Sequence, residues 1–248
     1  MDKDLEGKLR YLRLGELLQS WEETMNHAKN KGPSYTAFTK QIIEQEYSAK
    51  SERARQTRLR RATIEEMYVI ETYPFEKQPS IPKKKIMELF DSMSYVSEKR
   101  NMLFVGPTGV GKTGLATSLL VHAINKGHTG RFVTFPSLLE ELYQSVADHT
   151  EKKVLRKFID YDCLICDELG YVEIDPHQAG LFFTLMKQRH KKKTTIITSQ
   201  LGFKEWAGFL KNAHMTAALI DRFTENCIVH NMSKCTSIRA ATPPEKNH

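Results

Sequence analysis

The feature that most restricts what this chain can fold into is residues 106–113, GPTGVGKT. They match the phosphate-loop pattern G-x-x-x-x-G-K-[ST] at every fixed position. In this pattern the glycines at 106, 109 and 111 free the backbone, so that successive N–H groups can face phosphate oxygens. The apolar residues 102–105 predict a buried strand before the loop, and residues 115–125 predict a helix after it. We therefore expect an α/β nucleotide-binding domain.

The polar residues of the loop have distinct expected roles. Lys112 should reach the β- and γ-phosphates of the nucleotide, and the Thr113 hydroxyl should be a ligand of Mg²⁺. The helix that begins near Lys112 adds the positive end of its dipole. The alternative is a glycine-rich turn without a ligand. The residues predicted to bind ATP are Gly106, Pro107, Thr108, Gly109, Val110, Gly111, Lys112, Thr113 and Gly114.

Composition limits the class of protein. The 248 residues carry a formal net charge of +7. A basic nucleotide-binding chain favours a polyanionic partner, most often nucleic acid, although solvated lysines alone would give the same balance. No run of about eighteen apolar residues predicts a membrane helix. The first residues lack the apolar core of a signal peptide, so we expect a cytoplasmic protein.

The cysteines predict buried thiols. Cys163 and Cys166 have C-x-x-C spacing but lie in an apolar run that predicts a strand, where residues three apart point to opposite faces. Cys227 and Cys235 form no second close pair. We therefore expect free thiols rather than a zinc site or a disulfide.

The first 75 residues predict a small helical domain. Its apolar positions favour one long amphipathic helix, then a break at residues 31–34, then a second helix from Tyr35 to residue 48 or beyond. Phe38, Ile42 and Ile43 should face inward in the second helix. The apolar residues spaced along the first helix are Leu5, Leu9, Leu12, Leu17, Trp21 and Met25.

The highest density of positively charged residues lies in residues 50–61, next along the chain. If the second helix continues, one basic face spans an arc of about 160°. Arginine suits bidentate phosphate contacts, so we expect DNA binding without base specificity; the alternative is a solvated surface helix. The residues of this basic face are Lys50, Arg53, Arg58, Arg60 and Arg61.

Proline and strand patterns divide the remainder. Three prolines within residues 73–82 predict a domain boundary, which gives a helical domain (1–75), a linker with a short helix (76–100) and an ATPase domain (101–248). From Asn101 onward strands and helices alternate, which predicts a parallel sheet flanked by helices. A helix over residues 137–148 should be capped by Ser137. Residues 189–193 predict a basic turn.

Two predicted strands end in polar residues. Asp167 should lie at the carboxyl end of a strand adjacent to the phosphate loop and help hold Mg²⁺. Glu168 is placed to orient and polarise the attacking water, which favours hydrolysis over mere binding; a chance acidic strand end is the alternative. Gln200, after the strand over residues 194–199, either senses the γ-phosphate or is an uninvolved loop residue.

These motifs together resemble a known family. The segments GPTGVGKT, CLICDELGYVEIDP, TTIITSQLGFKEW and AALIDRFTENC, within residues 101–239, are similar to those of the IstB-like ATPases. These are AAA+ proteins encoded beside the transposase in certain insertion sequences, and they are related to the DnaC helicase loaders. The order of the leucine-rich N-terminal part, the arginine run and the ATPase domain is similar too.

The resemblance implies further properties. It implies the AAA+ sheet order, no C-terminal helical lid, and an ATP-dependent homo-oligomer with nucleotide at the subunit interfaces. It implies that Arg222 is the arginine finger inserted into a neighbouring subunit's site; the alternative is a surface arginine paired with Glu225. It also implies DNA binding with little sequence preference and recruitment of a transposase to target DNA.

Two positions depart from the family pattern. Similar proteins usually carry asparagine at the position of Gln200 and histidine at that of Gly114, where glycine weakens the helix by up to about 1 kcal/mol. We expect these departures to affect the rate of ATP turnover more than the binding of ATP. Two other functions therefore remain open: a DnaC-like replicative helicase loader, and a nucleotide-gated assembly scaffold with vestigial hydrolysis.

Overall fold

The computed structural model describes residues 1–78, 81–172, 174–211 and 213–238 of the chain. It forms two compact units, Met1–Thr57 and Arg58–His248. The division precedes the predicted boundary at residue 75, because Ala62, Ile70 and Tyr73 belong to the core of the second unit. Residues 79–80 of the predicted linker, and residues 173, 212 and 239–248 of the predicted ATPase domain, lie outside the described residues.

The beginning of the first unit is broken into three helices, so the prediction of one long amphipathic helix is wrong. The chain turns at Arg13, which has a φ of 57°, and Leu12 beside it is 60% exposed. Leu9 and Leu17 are buried on either side of this turn. The helices of this part of the chain are α1 (Lys3–Tyr11), α2 (Gly15–Gln19), α3 (Trp21–Lys31) and α4 (Tyr35–Ala62).

The predicted second helix is confirmed as α4, which begins at Tyr35 and continues beyond residue 48 to Ala62. Its inward face differs from the prediction, because Ile43 is 61% exposed whereas Phe38 and Ile42 are half-buried. Within the first unit, the buried side chain of α4 is Glu46, whose Oε1 accepts a hydrogen bond of 2.8 Å from the Leu17 amide. A polar contact between helices therefore replaces part of the expected apolar stripe.

The second unit is a parallel sheet flanked by helices, which confirms the predicted fold class. Its strands among the described residues are β1 (Asn101–Val105), β2 (Gly130–Thr134), β3 (Cys163–Leu169), β4 (Thr194–Ser199) and β5 (Cys227–Asn231). They lie in the order β2-β3-β4-β1-β5, and every neighbouring pair is parallel. The α-helices of this unit are α5 (Lys83–Ser92), α6 (Ser94–Ser97), α7 (Lys112–Asn125), α8 (Phe135–Ala147), α9 (Glu151–Asp160), α10 (Pro176–Arg189), α11 (Phe203–Phe209) and α12 (Ala213–Thr224).

Both faces of the central strands are buried, which agrees with the short apolar runs at residues 102–105 of β1 and 163–166 of β3. In β3, Cys163 and Ile165 join the core cluster on one face, and Leu164 and Cys166 join the cluster on the other. The prediction of buried free thiols on opposite faces is confirmed. Burial raises the pKa of both thiols to about 12, so neither ionises near neutral pH.

The predicted cap of one helix in this unit is wrong. Helix α8 begins at Phe135, and its cap is Thr134, which accepts a hydrogen bond from the Ser137 amide at 3.4 Å. The predicted basic turn is present at residues 190–193, but Arg189 is the last residue of α10 and is buried. It donates to the carbonyl oxygens of Phe158 and Thr194, among other acceptors. This arginine therefore joins helices and strands from inside.

No helix among the described residues combines the length and apolar character needed to cross a bilayer.

Candidate nucleotide-binding site

The phosphate loop joins β1 to α7 and has the conformation that its glycines permit. Gly109 and Gly111 have φ of 82° and 91°, in the left-handed region that other residues rarely adopt. Among the described residues, no protein group accepts a hydrogen bond from the amides of Gly109, Val110 or Gly111. Unpaired amides at the start of a helix form a binding site for an anion such as phosphate.

Lys112 lies within this loop. Its side chain is buried, and Nζ donates to the carbonyl oxygens of Gly106 and Pro107 at 2.8 Å each. The ammonium group is therefore held at the loop by neutral acceptors. Phosphate oxygens, being charged, are stronger acceptors than these carbonyls.

Three side chains meet at the carboxyl ends of β3 and β4. Thr113 Oγ1 donates to Asp167 at 3.0 Å (Oδ1) and 3.2 Å (Oδ2), and Thr198 Oγ1 donates to Asp167 Oδ1 at 2.5 Å. Because β4 lies between β1 and β3, the Asp167 strand does not pair with the phosphate-loop strand; Thr113 and Thr198 bridge that distance. Hydroxyl and carboxylate oxygens are the ligands that Mg²⁺ prefers, so this group could hold that ion.

Burial controls the charge of Asp167. Desolvation raises the pKa of this carboxyl above its usual value, while hydrogen bonds from Thr198 and Thr113 and the charge of Lys112 act in the opposite direction. A buried carboxylate with incomplete compensation gains free energy when a cation binds beside it. The electrostatics of the site thus favour a bound metal ion.

Glu168 has an unusual backbone for a residue in a strand. Its φ is 62°, and the pairing of β3 with β4 shifts register between Cys166 and Leu169. The Glu168 amide donates to Thr198 Oγ1 at 3.0 Å. A non-glycine residue in this conformation costs of order 1 kcal/mol or more, and such strain clusters at functional sites. The irregularity brings Glu168 to the same cavity as the phosphate loop.

One cavity of about 290 Å³ is lined by Lys112, Thr113, Glu168 and Thr198, among other residues. One part of its wall is polar and comes from the phosphate loop, α7, Glu168 and Thr198. The other part comes from the segment before the sheet and includes two tyrosines. A polar end beside an aromatic end suits a nucleotide, which has both. The lining residues outside the phosphate loop are Tyr68, Val69, Thr72, Tyr73, Pro74, Ser118, Glu168, Tyr171, Thr198 and Ile238.

Gln200 lies beside the phosphate loop. Its Nε2 donates to Thr108 Oγ1 at 2.6 Å, and Thr108 Oγ1 lies 3.3 Å from the Tyr171 hydroxyl. The side chain of Gln200, which is one methylene longer than asparagine, thus contacts the phosphate loop itself. Its role toward the γ-phosphate stays a prediction.

Gly114 lies beside the aromatic wall of the cavity. A Cβ atom there would lie 3.4 Å from Cδ1 of the Tyr68 ring, which packs on this turn of α7. That distance is ordinary van der Waals contact, so the ring leaves room for a methyl group at this position.

Arg222 does not reach the phosphate loop of its own chain. It lines a separate small cavity with Asn101, the first residue of β1, whereas the phosphate loop follows the last residue of β1. Its Nη1 donates to the Ala218 carbonyl oxygen at 3.0 Å, and its guanidinium lies 5.4 Å from the centroid of the Phe183 ring. A contact of Arg222 with nucleotide would therefore need a second subunit.

The alternative partner of Arg222 is occupied elsewhere. Glu225 forms an ion pair with Lys191, and its Oε2 lies 3.1 Å from His190 Nε2. The alternative in which Arg222 pairs with Glu225 is wrong, because the basic turn after α10 supplies the partners of Glu225.

The basic face of α4 carries both paired and unpaired residues. In the first unit, Lys50 lies 4.0 Å from the buried carboxylate of Glu46, and Arg53 forms an ion pair of 3.2 Å with Glu16. These two cations thus have partners within their own unit. Their expected role in DNA binding remains a prediction.

The end of α4 lies in the second unit. Arg58 is half-buried and donates from Nε to the Ile124 carbonyl oxygen at 3.4 Å. Arg60 and Arg61 are exposed, and their guanidinium groups have no partner among the described residues. Of the predicted basic face, these two guanidinium groups are exposed and carry no ion pair within the described residues, so they are available to a polyanion.

Several residues of the site could not be recognised in the sequence. Thr198 is one of several hydroxyl residues in β4, and Tyr73, Gln78 and Ile238 lie far from the phosphate loop along the chain. The one indication for Thr198 in the sequence is its position near the predicted carboxyl end of a strand, two residues before Gln200. The three other residues carry no motif.

Comparison with known proteins agrees with this geometry. The family model described as IstB-like ATP binding protein matches residues 7–243. The chain is 31% identical over 221 residues to the insertion sequence IS5376 ATP-binding protein of Geobacillus stearothermophilus, covering 89% of this chain and 88% of that protein. It is 29% identical over 229 residues to the insertion sequence IS21 ATP-binding protein of Pseudomonas aeruginosa, covering 92% and 86%.

Solved structures with the same fold include replication proteins. The DnaC helicase loader has a TM-score of 0.52 at 22% identity, with 61% of this chain and 88% of that chain covered. AMPPCP-bound DnaA from Aquifex aeolicus has a TM-score of 0.56 at 16% identity, with 66% and 50% covered. At these identities the likeness establishes the AAA+ fold alone.

Proposed function

The chain belongs to the family of IstB-like ATP-binding proteins, and on this premise we propose that it is a Mg²⁺-dependent ATPase that oligomerises on DNA and assists a transposase. The observation that carries the proposal is the group formed by Thr113, Asp167 and Thr198 beside Glu168 and the phosphate loop. Binding alone would not need a second acid in the same cavity.

The residues of the site divide the work of hydrolysis. The amides of the phosphate loop and Lys112 bind the triphosphate, while Thr113 and Asp167 would hold Mg²⁺ through oxygen. When bound, the ion neutralises negative charge on the phosphate oxygens. Thr198 orients Asp167 through one hydrogen bond. It also accepts a hydrogen bond from the Glu168 amide and so fixes the position of Glu168, the general base. Glu168 orients a water molecule and accepts its proton.

Arg222 serves as the group that completes the site from a neighbouring subunit. Its position at the opposite end of β1 from the phosphate loop supports a contact between chains rather than within one. A mixture of two inactive variants tests this arrangement. Arg222→Ala and Glu168→Gln should each lose ATP turnover. Mixing them should restore part of it, at interfaces where the Arg222→Ala chain supplies Glu168 and the Glu168→Gln chain supplies Arg222. Absence of any recovery, in a mixture that still co-assembles, would contradict the shared site.

DNA binding rests on charge at the end of α4. Arg60 and Arg61 are exposed and unpaired within the described residues, and the whole chain carries a net charge of +7. Contacts of this kind bind phosphate without reading bases. The insertion-sequence names of the relatives support a transposase as the protein partner.

The decisive experiment measures ATP turnover with and without duplex DNA for the wild type and Glu168→Gln. We expect DNA to stimulate the wild type, and the variant to bind ATP but turn it over at least about a hundredfold more slowly. Glu140→Gln, on the exposed side of α8, is the matched control and should behave as the wild type. Equal rates for both forms, with no effect of DNA, would overturn the enzyme assignment and leave a nucleotide-gated scaffold.

Assembly is tested by particle size. Light scattering of the full chain alone, with ATP and Mg²⁺, and with duplex DNA added should show growth that needs nucleotide. A particle of unchanged mass under all three conditions would contradict the oligomer.

A further inference from the structure

The outer side of the phosphate loop is held by two segments that lie far from it in sequence. One segment contributes Tyr73 and Gln78, shortly before α5. The other is the chain after β5, residues 232–238, in which Ile238 lines the nucleotide cavity. Both segments belong to the second unit, and both contact loop carbonyl groups rather than side chains.

Gln78 is the centre of this arrangement. Its side chain is fully buried, and Nε2 donates to the Val110 carbonyl oxygen at 3.4 Å and to the Thr236 carbonyl oxygen at 2.5 Å. Its Oε1 accepts a hydrogen bond from the Thr236 amide at 3.2 Å. One buried amide thus joins the linker, the phosphate loop and the C-terminal segment.

Two further contacts complete it. The Tyr73 hydroxyl donates to the Val110 carbonyl oxygen at 3.2 Å, and the Ile238 amide donates to the Gly109 carbonyl oxygen at 2.9 Å. The loop also lies against these side chains. A Cβ atom at Gly111 would lie 2.8 Å from the Tyr73 ring and 3.0 Å from Ile238 Cδ1.

The planarity of the peptide bond gives these contacts a consequence. In a trans peptide the C=O of one residue and the N–H of the next point in opposite directions. Holding the Gly109 carbonyl outward therefore turns the Val110 N–H inward, and holding the Val110 carbonyl outward turns the Gly111 N–H inward. These two N–H groups are among the unpaired donors of the loop.

We propose that Tyr73, Gln78, Thr236 and Ile238 form a brace that fixes the orientation of two phosphate-loop peptides, and that Gln78 is thereby a positioning residue for the nucleotide. This inference rests on the proposed binding of ATP at the loop. An unbraced loop could rotate these peptides and present carbonyl oxygens to the phosphates, which repel them. The brace removes that competing conformation before the nucleotide arrives.

The test is calorimetric titration of ATP and Mg²⁺ into the full chain as wild type, Gln78→Met and Lys112→Ala. Methionine keeps the length and volume of the side chain but removes all three hydrogen bonds. We expect Gln78→Met to bind one ATP per folded chain with a dissociation constant raised about tenfold or more, the effect of losing an oriented donor to a charged group. Circular dichroism and thermal melting define the folded fraction.

The number of ATP molecules bound per chain distinguishes a positioning role of Gln78 from a purely structural one. If Gln78 only supports the fold, the variant should bind fewer ATP molecules per chain with an unchanged dissociation constant, and the brace would be refuted. Tyr73→Phe keeps the ring and removes one donor to the Val110 carbonyl; it should raise the dissociation constant by less than Gln78→Met. The double variant should exceed both single variants, and equal affinity for all of these forms would also refute the brace.

Failure of the brace and failure of the ATP assignment give different results. If the wild type binds no ATP, the site itself is misassigned. If the wild type binds ATP, Lys112→Ala does not, and Gln78→Met matches the wild type, the site stands and the brace is wrong.

Discussion

Replacing Thr198 with valine removes one hydroxyl from the centre of the site and leaves its volume almost unchanged. That hydroxyl donates to Asp167 Oδ1 at 2.5 Å and accepts from the Glu168 amide at 3.0 Å. Thr198 is 1% exposed, so water cannot replace either bond. A hydrogen bond to a charged group contributes about 1.5–3 kcal/mol, and an unsatisfied buried amide costs about 1–3 kcal/mol. We expect Thr198→Val to lower the free energy of unfolding by about 2–4 kcal/mol.

The same substitution should weaken the metal site. Loss of the hydrogen bond raises the pKa of Asp167 further and frees its carboxylate to rotate. More Mg²⁺ should then be needed for half-maximal ATP binding. Thr198→Ser, which keeps the hydroxyl, should retain the Mg²⁺ dependence of the wild type and lose only about 1 kcal/mol for the missing methyl group.

Urea unfolding measures the first effect. Trp206 is buried in the same unit as Thr198, and replacing Trp21 of the first unit with phenylalanine leaves Trp206 as the single tryptophan. Titration of ATP binding against Mg²⁺ measures the second effect. If valine and serine variants unfold at the same urea concentration and require the same Mg²⁺, the assigned role of this hydroxyl is wrong.

Two further predictions concern the basic face and a buried histidine. Changing Arg58, Arg60 and Arg61 together to alanine should weaken duplex DNA binding and flatten its dependence on salt while leaving ATP affinity unchanged; an unaltered salt slope would move the DNA surface elsewhere. Burial, with a smaller contribution from the charge of Lys85, lowers the pKa of His230 from 6.5 to about 4. The unfolded chain therefore binds the proton more readily, and stability that is present above pH 6.5 is lost as pH falls toward 4, by about 2 kcal/mol at pH 5. Unfolding at pH 7.5 and pH 5 should show this loss in the wild type but not in His230→Phe, and equal losses would contradict it.

Local sequence signals predicted the parts of the site that are contiguous along the chain. Residues 106–113 contain the three glycines, the lysine and both threonines of the loop, so spacing alone identified them. Strand β4 was predicted at its observed bounds, and its β-branched threonine and isoleucine residues favour a strand. Asp167 and Glu168 were predicted to lie at the site because they follow the apolar run of β3.

Contacts between distant segments left no comparable signal. Gln78 and Thr236 contact each other across 158 positions, and neither lies in a motif. The first helix was predicted too long for a related reason, since the spacing of leucines does not reveal that the chain turns at Arg13. The exposure of Ile43 likewise depends on Glu46 forming the inward contact of α4. Tertiary packing, which hydrophobic periodicity does not encode, decides each of these cases.

ATP binding at the phosphate loop is tested most directly by calorimetric titration of ATP into the nucleotide-free chain, with Mg²⁺ and again with EDTA, for the wild type and Lys112→Ala. We expect one ATP per wild-type chain, weaker binding when EDTA removes the metal, and a loss of at least about tenfold in affinity for the variant, since a charged donor is removed from the phosphates. Failure of the wild type to bind ATP, or equal affinity of the two proteins, would contradict binding of the triphosphate at this loop.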